Sequence, residues 1–327
     1  MTKYIAIGGD AHSDVKSVKK SVDAVKSIKE QGHDVLAIYR GGDDGADPRF
    51  KDYKGLRLKP LAKIARERGF VDNARYAEVL KMYDKALQDG DEKYWKYRRD
   101  VDKFANQISN LLNLSGVPVR MLAGNADEYT DAIRTLGINE CFRVYDDDYA
   151  EYANSIFNNE DVEFSNDIRV YNTGEDIATI CIPYSFDPDV ENDLYAVAGD
   201  QHEPLRGRLE KSLESALEFL NRFKPSLIIQ VQHEPPVQSL VTMLDPRNRP
   251  LEAGEVYQKA TDAISDINPD DHLIFYGHVG NPAFAESVPQ ELKDRKIRTF
   301  HWPEEGHGGM LYLDLDNLEV REEKYLV

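Results

Sequence analysis

The apolar positions of this chain change period as the sequence proceeds. Tyr4–Ile7 is a short apolar run that predicts a strand. Residues 14–30 then place Val18, Val22, Val25 and Ile28 on one face of a helix. Gly32–His33 ends that helix, and Asp34–Tyr39 returns to a strand-like run. A strand, a loop, a helix and a second strand in this order predict an α/β chain.

Residues 56–113 break the rhythm and predict successive helices over 56–68, 72–88 and 93–113, with Asp72 capping the second. This helical insertion suits a cap over a site or a homo-oligomer surface. Its Tyr94, Trp95 and Tyr97 read as packing residues. Val117–Leu122 predicts the third core strand, followed by a helix near 128–136. Segments 141–145, 168–172 and 176–182 predict strands, as a hairpin or part of a second sheet. A Pro-punctuated loop covers 185–205, a helix 207–222 and a strand Leu227–Val231. Another Pro-rich loop spans 234–250. Then come a helix over 251–266, a strand His272–Tyr276, and strands near 296–300 and 309–315. The chain reads as a single domain over 1–327.

Composition narrows the class. Hydrophobic residues make up 41% and charged residues 31%, enough for a substantial core and a soluble surface. The net charge of -18 disfavours nucleic-acid backbones and anionic membranes as partners. Two cysteines, Cys141 and Cys181, exclude a disulfide-rich scaffold and read as small buried hydrophobes. The opening MTKYIAIGGD has no basic stretch before a long apolar run, and no segment approaches a membrane span. The expectation is a soluble, cytoplasmic protein.

Five polar, mostly glycine-bearing groups follow or flank predicted strands. They are GGDAHSD with Asp10 and His12, GGDDG with Asp43 and Asp44, and GNAD with Asn125 and Asp127. QVQHEPP with His233 and YGHVG with His278 complete the set. A carboxylate and an imidazole two residues apart, just past a strand, can turn towards one ion. Glycines beside them let the backbone turn tightly and approach a ligand. Loops at strand ends collect on one edge of a sheet. Mixed oxygen and nitrogen ligands suit Mn²⁺, Fe²⁺, Zn²⁺, Co²⁺ or Ni²⁺ better than Ca²⁺. A carboxylate such as Asp43 can bridge two ions about 3.5–4 Å apart.

In this order the groups resemble the blocks of the calcineurin-like metallophosphoesterases, D-x-H, G-D, G-N-H-[DE], H and G-H-x-H. The matching residues are Asp10 and His12, Gly42–Asp43, Gly124–Asn125, His233, and Gly277–His278. The resemblance implies a four-layer α/β/β/α sandwich, with the helical insertion outside it. It implies one or two divalent transition metals. One would be held by Asp10, His12 and Asp43, the other by Asp43, Asn125, His233 and His278. Asp127 resembles the acidic residue that orients a histidine in many members. Two positions depart from the pattern. Ala126 stands where many members carry a histidine that assists the leaving group, and Gly280 where the first metal usually finds its last histidine. His301 and His307, in HWPEEGHGG, read as loop residues and as candidate substitute ligands or substrate contacts.

The implied activity is metal-dependent hydrolysis of a small phosphoester, a phosphodiester before a monoester. The alternatives are a catalytically impaired binding or scaffold protein of the same fold, and a nuclease. Arg98 and Arg99 could contact phosphate, but no basic stripe marks a nucleic-acid surface.

Overall fold

The computed structural model describes residues 1–9, 11, 14–42, 44, 107–122, 124, 161–165, 167–183, 205–236, 255–267, 269–277, 285–287, 292, 295–302 and 310–322. The chain opens with β1 (Lys3–Gly8), α1 (Val15–Glu30), β2 (Asp34–Arg40), β3 (Val119–Leu122) and β4 (Val162–Ser165). It continues through β5 (Arg169–Gly174), β6 (Ile177–Ile182), α2 (Leu205–Phe223), β7 (Leu227–Gln232), α3 (Glu255–Ile267) and β8 (Asp271–Tyr276). The last strands are β9 (Ala285–Ser287), β10 (Ile297–His301), β11 (Leu311–Asp314) and β12 (Val320–Glu322).

These strands form two six-stranded sheets, ordered β12-β11-β1-β2-β3-β4 and β5-β6-β7-β8-β10-β9. In the first sheet β1, β2, β3 and β4 run parallel, and β11 and β12 close one side antiparallel. In the second β6, β7, β8 and β10 run parallel between antiparallel edges β5 and β9. Each sheet therefore gathers the carboxyl ends of four strands on one edge, where ligand-binding loops of open α/β sheets collect.

The sequence pattern explains the layering. Asp14 caps α1, its carboxylate accepting from Lys16 N at 3.0 Å and from Ser17 Oγ at 2.9 Å. Val18, Val22, Val25 and Ile28 are all buried, as their spacing predicts, against Tyr4, Ala6, Val35 and Ile38 of the first sheet. Each such side chain contributes on the order of 1.5–3 kcal/mol by leaving water. Gly32, at φ +86°, turns the chain out of α1 towards β2. The opposite residues of the first sheet, Ile5, Ile7, Ala37 and Tyr39, meet Ile229, Val231, Leu273 and Phe275 between the two sheets. Cys181 lies in this layer, and burial pushes its thiol pKa up. The outer face of the second sheet packs on α2 and α3 through Leu209, Leu220, Tyr257 and Ile264. The architecture is thus two β-sheets flanked by helices. Among the described residues no helix is long and apolar enough to cross a membrane.

Most strands and helices fall where the periodicity puts them, and 168–182 is indeed a hairpin. Three short strands are absent from the sequence reading: β4, β9 and β12. All three lie at sheet edges. The insertion over 56–106, the predicted helix at 128–136, the strand at 141–145, Cys141 and the loop 185–204 lie outside the described residues. Residues 107–113 are helical.

A fully buried polar ladder underlies α3. Gln230 Nε2 donates to Gln232 Oε1 and to Thr261 Oγ1, the latter at 3.3 Å. Gln230 Oε1 lies 3.0 Å from His272 Nε2, so the imidazole donates there and holds its proton on Nε2. His272 Nδ1 is buried with no partner among the described residues. Burial pushes the His272 pKa down to about 3. The unfolded chain takes up this proton near pH 6.5. Stability is therefore fully present above that pH, falls as pH drops towards 3, and loses on the order of 4 kcal/mol across the window. His272→Gln, whose amide can still donate to Gln230, is expected to lose less stability than wild type between pH 6.5 and 4. Urea midpoints at several pH values check this, and equal pH dependence in the two chains would refute it.

Candidate functional site

The loops at the carboxyl ends of both sheets meet at one junction, and all five polar motifs reach it through their described members. Gly41 N donates to Gly8 O at 2.7 Å, tying the exit of β2 to that of β1. Gly42 has φ +108° and sits so close to Gly124 that a Cβ would lie 2.7 Å from its N and Cα. The same Cβ would lie 2.9 Å from His233 Nδ1. His233 follows β7 and so brings the second sheet into contact with the first. Gly277, past β8, donates its N–H to His233 O at 3.1 Å. Gly42 is thus required by the close approach of the Gly124 backbone.

His233 is fully buried. Its Nδ1 lies 2.9 Å from Gly41 O. A carbonyl only accepts, so Nδ1 carries a proton, and in the neutral ring the lone pair is on Nε2. A histidine that ligates a metal is commonly held this way, with its other ring nitrogen donating to a backbone carbonyl. The bond also locks the ring across the seam between the sheets.

A second tie joins the loops after β1 and β2. Arg40, the last residue of β2, pairs with Asp44 through Nε to Oδ2 at 2.8 Å and through Nη2 to Oδ1. Asp44 Oδ1 also accepts from Ala11 N at 3.2 Å. Both side chains of the pair are buried. Trp302, just past β10, fills the space behind these loops. Its indole carbons would lie 2.1, 2.5 and 3.1 Å from a Cβ at Gly41. Trp302 N donates to Tyr276 O at 3.1 Å, which extends the ladder of β8 and β10 to the junction.

Of the sequence-predicted residues, His233 is placed at this junction. Asp10, His12, Asp43, Asn125, Asp127, His278 and His307 lie outside the described residues, although Gly9, Ala11, Gly42, Asp44, Gly124 and Gly277 beside them are described. The loop reading of His301 is corrected: it is the last residue of β10, paired with Tyr276 and buried. Strand alternation turns it away from the face of Phe300, and its ring lies 5.5 Å from that of Tyr276. Among the described residues there is no group of three or more His, Cys, Asp or Glu side chains able to hold a metal. The sequence reading overlooked Arg40 and Trp302. The signal for Arg40 was a lone cation directly after the apolar run VLAIY of β2.

No protein-family model matches the chain, and no curated protein does. Solved structures resemble it in fold. One aligns over 98% of both chains at 14% identity with a TM-score of 0.51. TT1561 of Thermus thermophilus aligns over 98% of both chains at 11% identity with a TM-score of 0.46. GAP50, the anchor in the inner membrane complex of Plasmodium, aligns over 98% of this chain and 88% of its own at 11% identity, with a TM-score of 0.40. At these identities the likeness concerns the fold alone.

Proposed function

We propose that this chain is a metal-dependent phosphoesterase with the four-layer sandwich of the calcineurin-like metallophosphoesterases, acting on a phosphodiester. The observation that carries the reading is the His233 tautomer at the meeting point of the five motif loops. A buried imidazole with its Nδ1 proton committed to a carbonyl fits a transition metal at Nε2. The donor set named by the sequence, carboxylates, imidazoles and an amide, has the same preference.

Asp10, His12 and Asp43 would hold one ion, and Asp43, Asn125, His233 and His278 the other. Such ions supply a nucleophilic water at neutral pH and neutralise charge on the phosphoryl oxygens. The chain's own part is orientation. The Gly41 carbonyl fixes the His233 ring, and the packed glycines at 42 and 124 keep the loops of the first sheet within reach of it. Ala126 offers no proton to a leaving group. The reaction therefore favours diesters whose leaving group departs without one.

Elemental analysis after Mn²⁺ loading, followed by hydrolysis of bis(p-nitrophenyl) phosphate, tests the proposal. The expected result is about two ions per chain and Mn²⁺-dependent turnover. A loaded chain with no bound ion and no turnover would sink it, and would favour a binding role for the same fold.

A further inference from the structure

We infer that Arg40 and Asp44 are positioning residues whose buried ion pair fixes the loop after β1 against the loop after β2, and so sets the first ion site. The inference rests on the metal reading above and assigns a role that the metal-ligand pattern does not contain.

Ala11 stands between Asp10 and His12 in the sequence, and both of its backbone polar groups are tied. Its N–H donates to Asp44 Oδ1 at 3.2 Å. Its carbonyl accepts from Asp14 N at 2.6 Å, at the cap of α1. The Ala11 side chain is buried as well. The peptide that links the two candidate ligands is therefore held on one side by a helix cap and on the other by Asp44. Asp44 in turn directly follows Asp43, the candidate bridging carboxylate. Arg40 holds Asp44 with two guanidinium nitrogens, the two-point contact that fixes a carboxylate in direction as well as position.

This pair has one structural consequence. The Asp44 carboxylate reaches from the GGDDG loop to the backbone of the GGDAHSD loop, between the two candidate ligands of that loop. The tie between the strand exits, Gly41 N to Gly8 O, lies before both ligand segments. Without Asp44 the strands stay in register, but Ala11, between Asp10 and His12 in the sequence, loses its tie to the loop after β2. His233 stands on the second sheet and keeps its own anchor on Gly41. Loss of the pair should therefore empty the first ion site and spare the other.

The test compares wild type, Asp44→Ala and the double variant Arg40→Met with Asp44→Leu, each loaded with Mn²⁺. The double variant removes both charges of the pair together, so it carries the test if Asp44→Ala does not fold. The readouts are Mn²⁺ content, thermal stability and the electron paramagnetic resonance spectrum. Two ions sharing a carboxylate couple their spins, whereas an isolated ion shows a simple hyperfine pattern. The expected result is about two coupled ions in wild type and about one uncoupled ion in the folded variant, with turnover down roughly 10- to 100-fold. A purely structural pair would lower thermal stability and leave the spectrum coupled. A folded double variant with two coupled ions overturns this inference and leaves the metal reading standing. A wild-type chain that binds no Mn²⁺ overturns both.

Discussion

Gly42→Ala is expected to cost about 2–6 kcal/mol of stability and to lower metal uptake with it. Two separate penalties add at this position. The φ of +108° is outside the range that an L side chain occupies comfortably. The added methyl would also stand 2.7 Å from the N and Cα of Gly124 and 2.9 Å from His233 Nδ1. Backbone atoms cannot rotate out of the way, so the loop after β3 or the His233 ring must shift. For a chain of this length the fall in Tm is on the order of 5 °C. Gly32→Ala separates the two penalties. Gly32 has φ +86°, and nothing lies within 4 Å of its Cβ position. It should cost only about 1 kcal/mol and leave metal content unchanged. Equal losses in the two variants, measured by thermal denaturation, would show that the loops at Gly42 and Gly124 are not in close contact.

His233 carries the second large effect. His233→Asn keeps an N–H where Nδ1 sits and removes Nε2, while His233→Ala removes both. The asparagine variant should fold near the wild-type Tm, because the Gly41 carbonyl keeps its donor. The alanine variant should lose about 1–3 kcal/mol, because that carbonyl is orphaned in a buried place. Both should lose an ion and hydrolyse phosphodiester on the order of 10²-fold more slowly or worse. Full metal content and full activity in His233→Asn would remove Nε2 from the ligand set.

The parts of the fold legible in the sequence are those where one element's own period decides its place. The face of Val18, Val22, Val25 and Ile28 is an example, because helix geometry alone aligns those residues. The strand read at Leu227–Val231 is another: a mostly apolar segment covered on both faces needs no partner to be recognised. β4 escapes a sequence reading because VEFS is a short edge strand whose pairing depends on Val119 and Met121, far away in sequence. His301 reads as a loop residue because the sequence around it, HWPEEG, is polar and holds a proline. The β8 ladder nevertheless carries the strand through His301. At the candidate site, the motifs are legible as glycines and ligand types. The Gly41–His233 bond is not, since it joins two sheets whose mutual placement no local pattern encodes. The Arg40–Asp44 pair is hidden for a related reason: only the turn at Gly41–Gly42 brings the two together.

The strand order has a consequence for how the chain becomes a fold. β1 is made before every other strand of the two sheets, yet one of its two neighbours is β11, with Tyr4 opposite Asp314. Every strand of the second sheet lies between them in the sequence. On the ribosome, the second sheet can therefore gather its strands while the first still has a bare edge at Ile5 and Ile7. Such an edge offers unpaired N–H and C=O groups to any passing strand. Closing it requires bringing β11 back to β1, a contact of long sequence separation and correspondingly slow formation. Until β11 emerges that edge stays open to misassembly, and it is there that a chaperone would have most to protect.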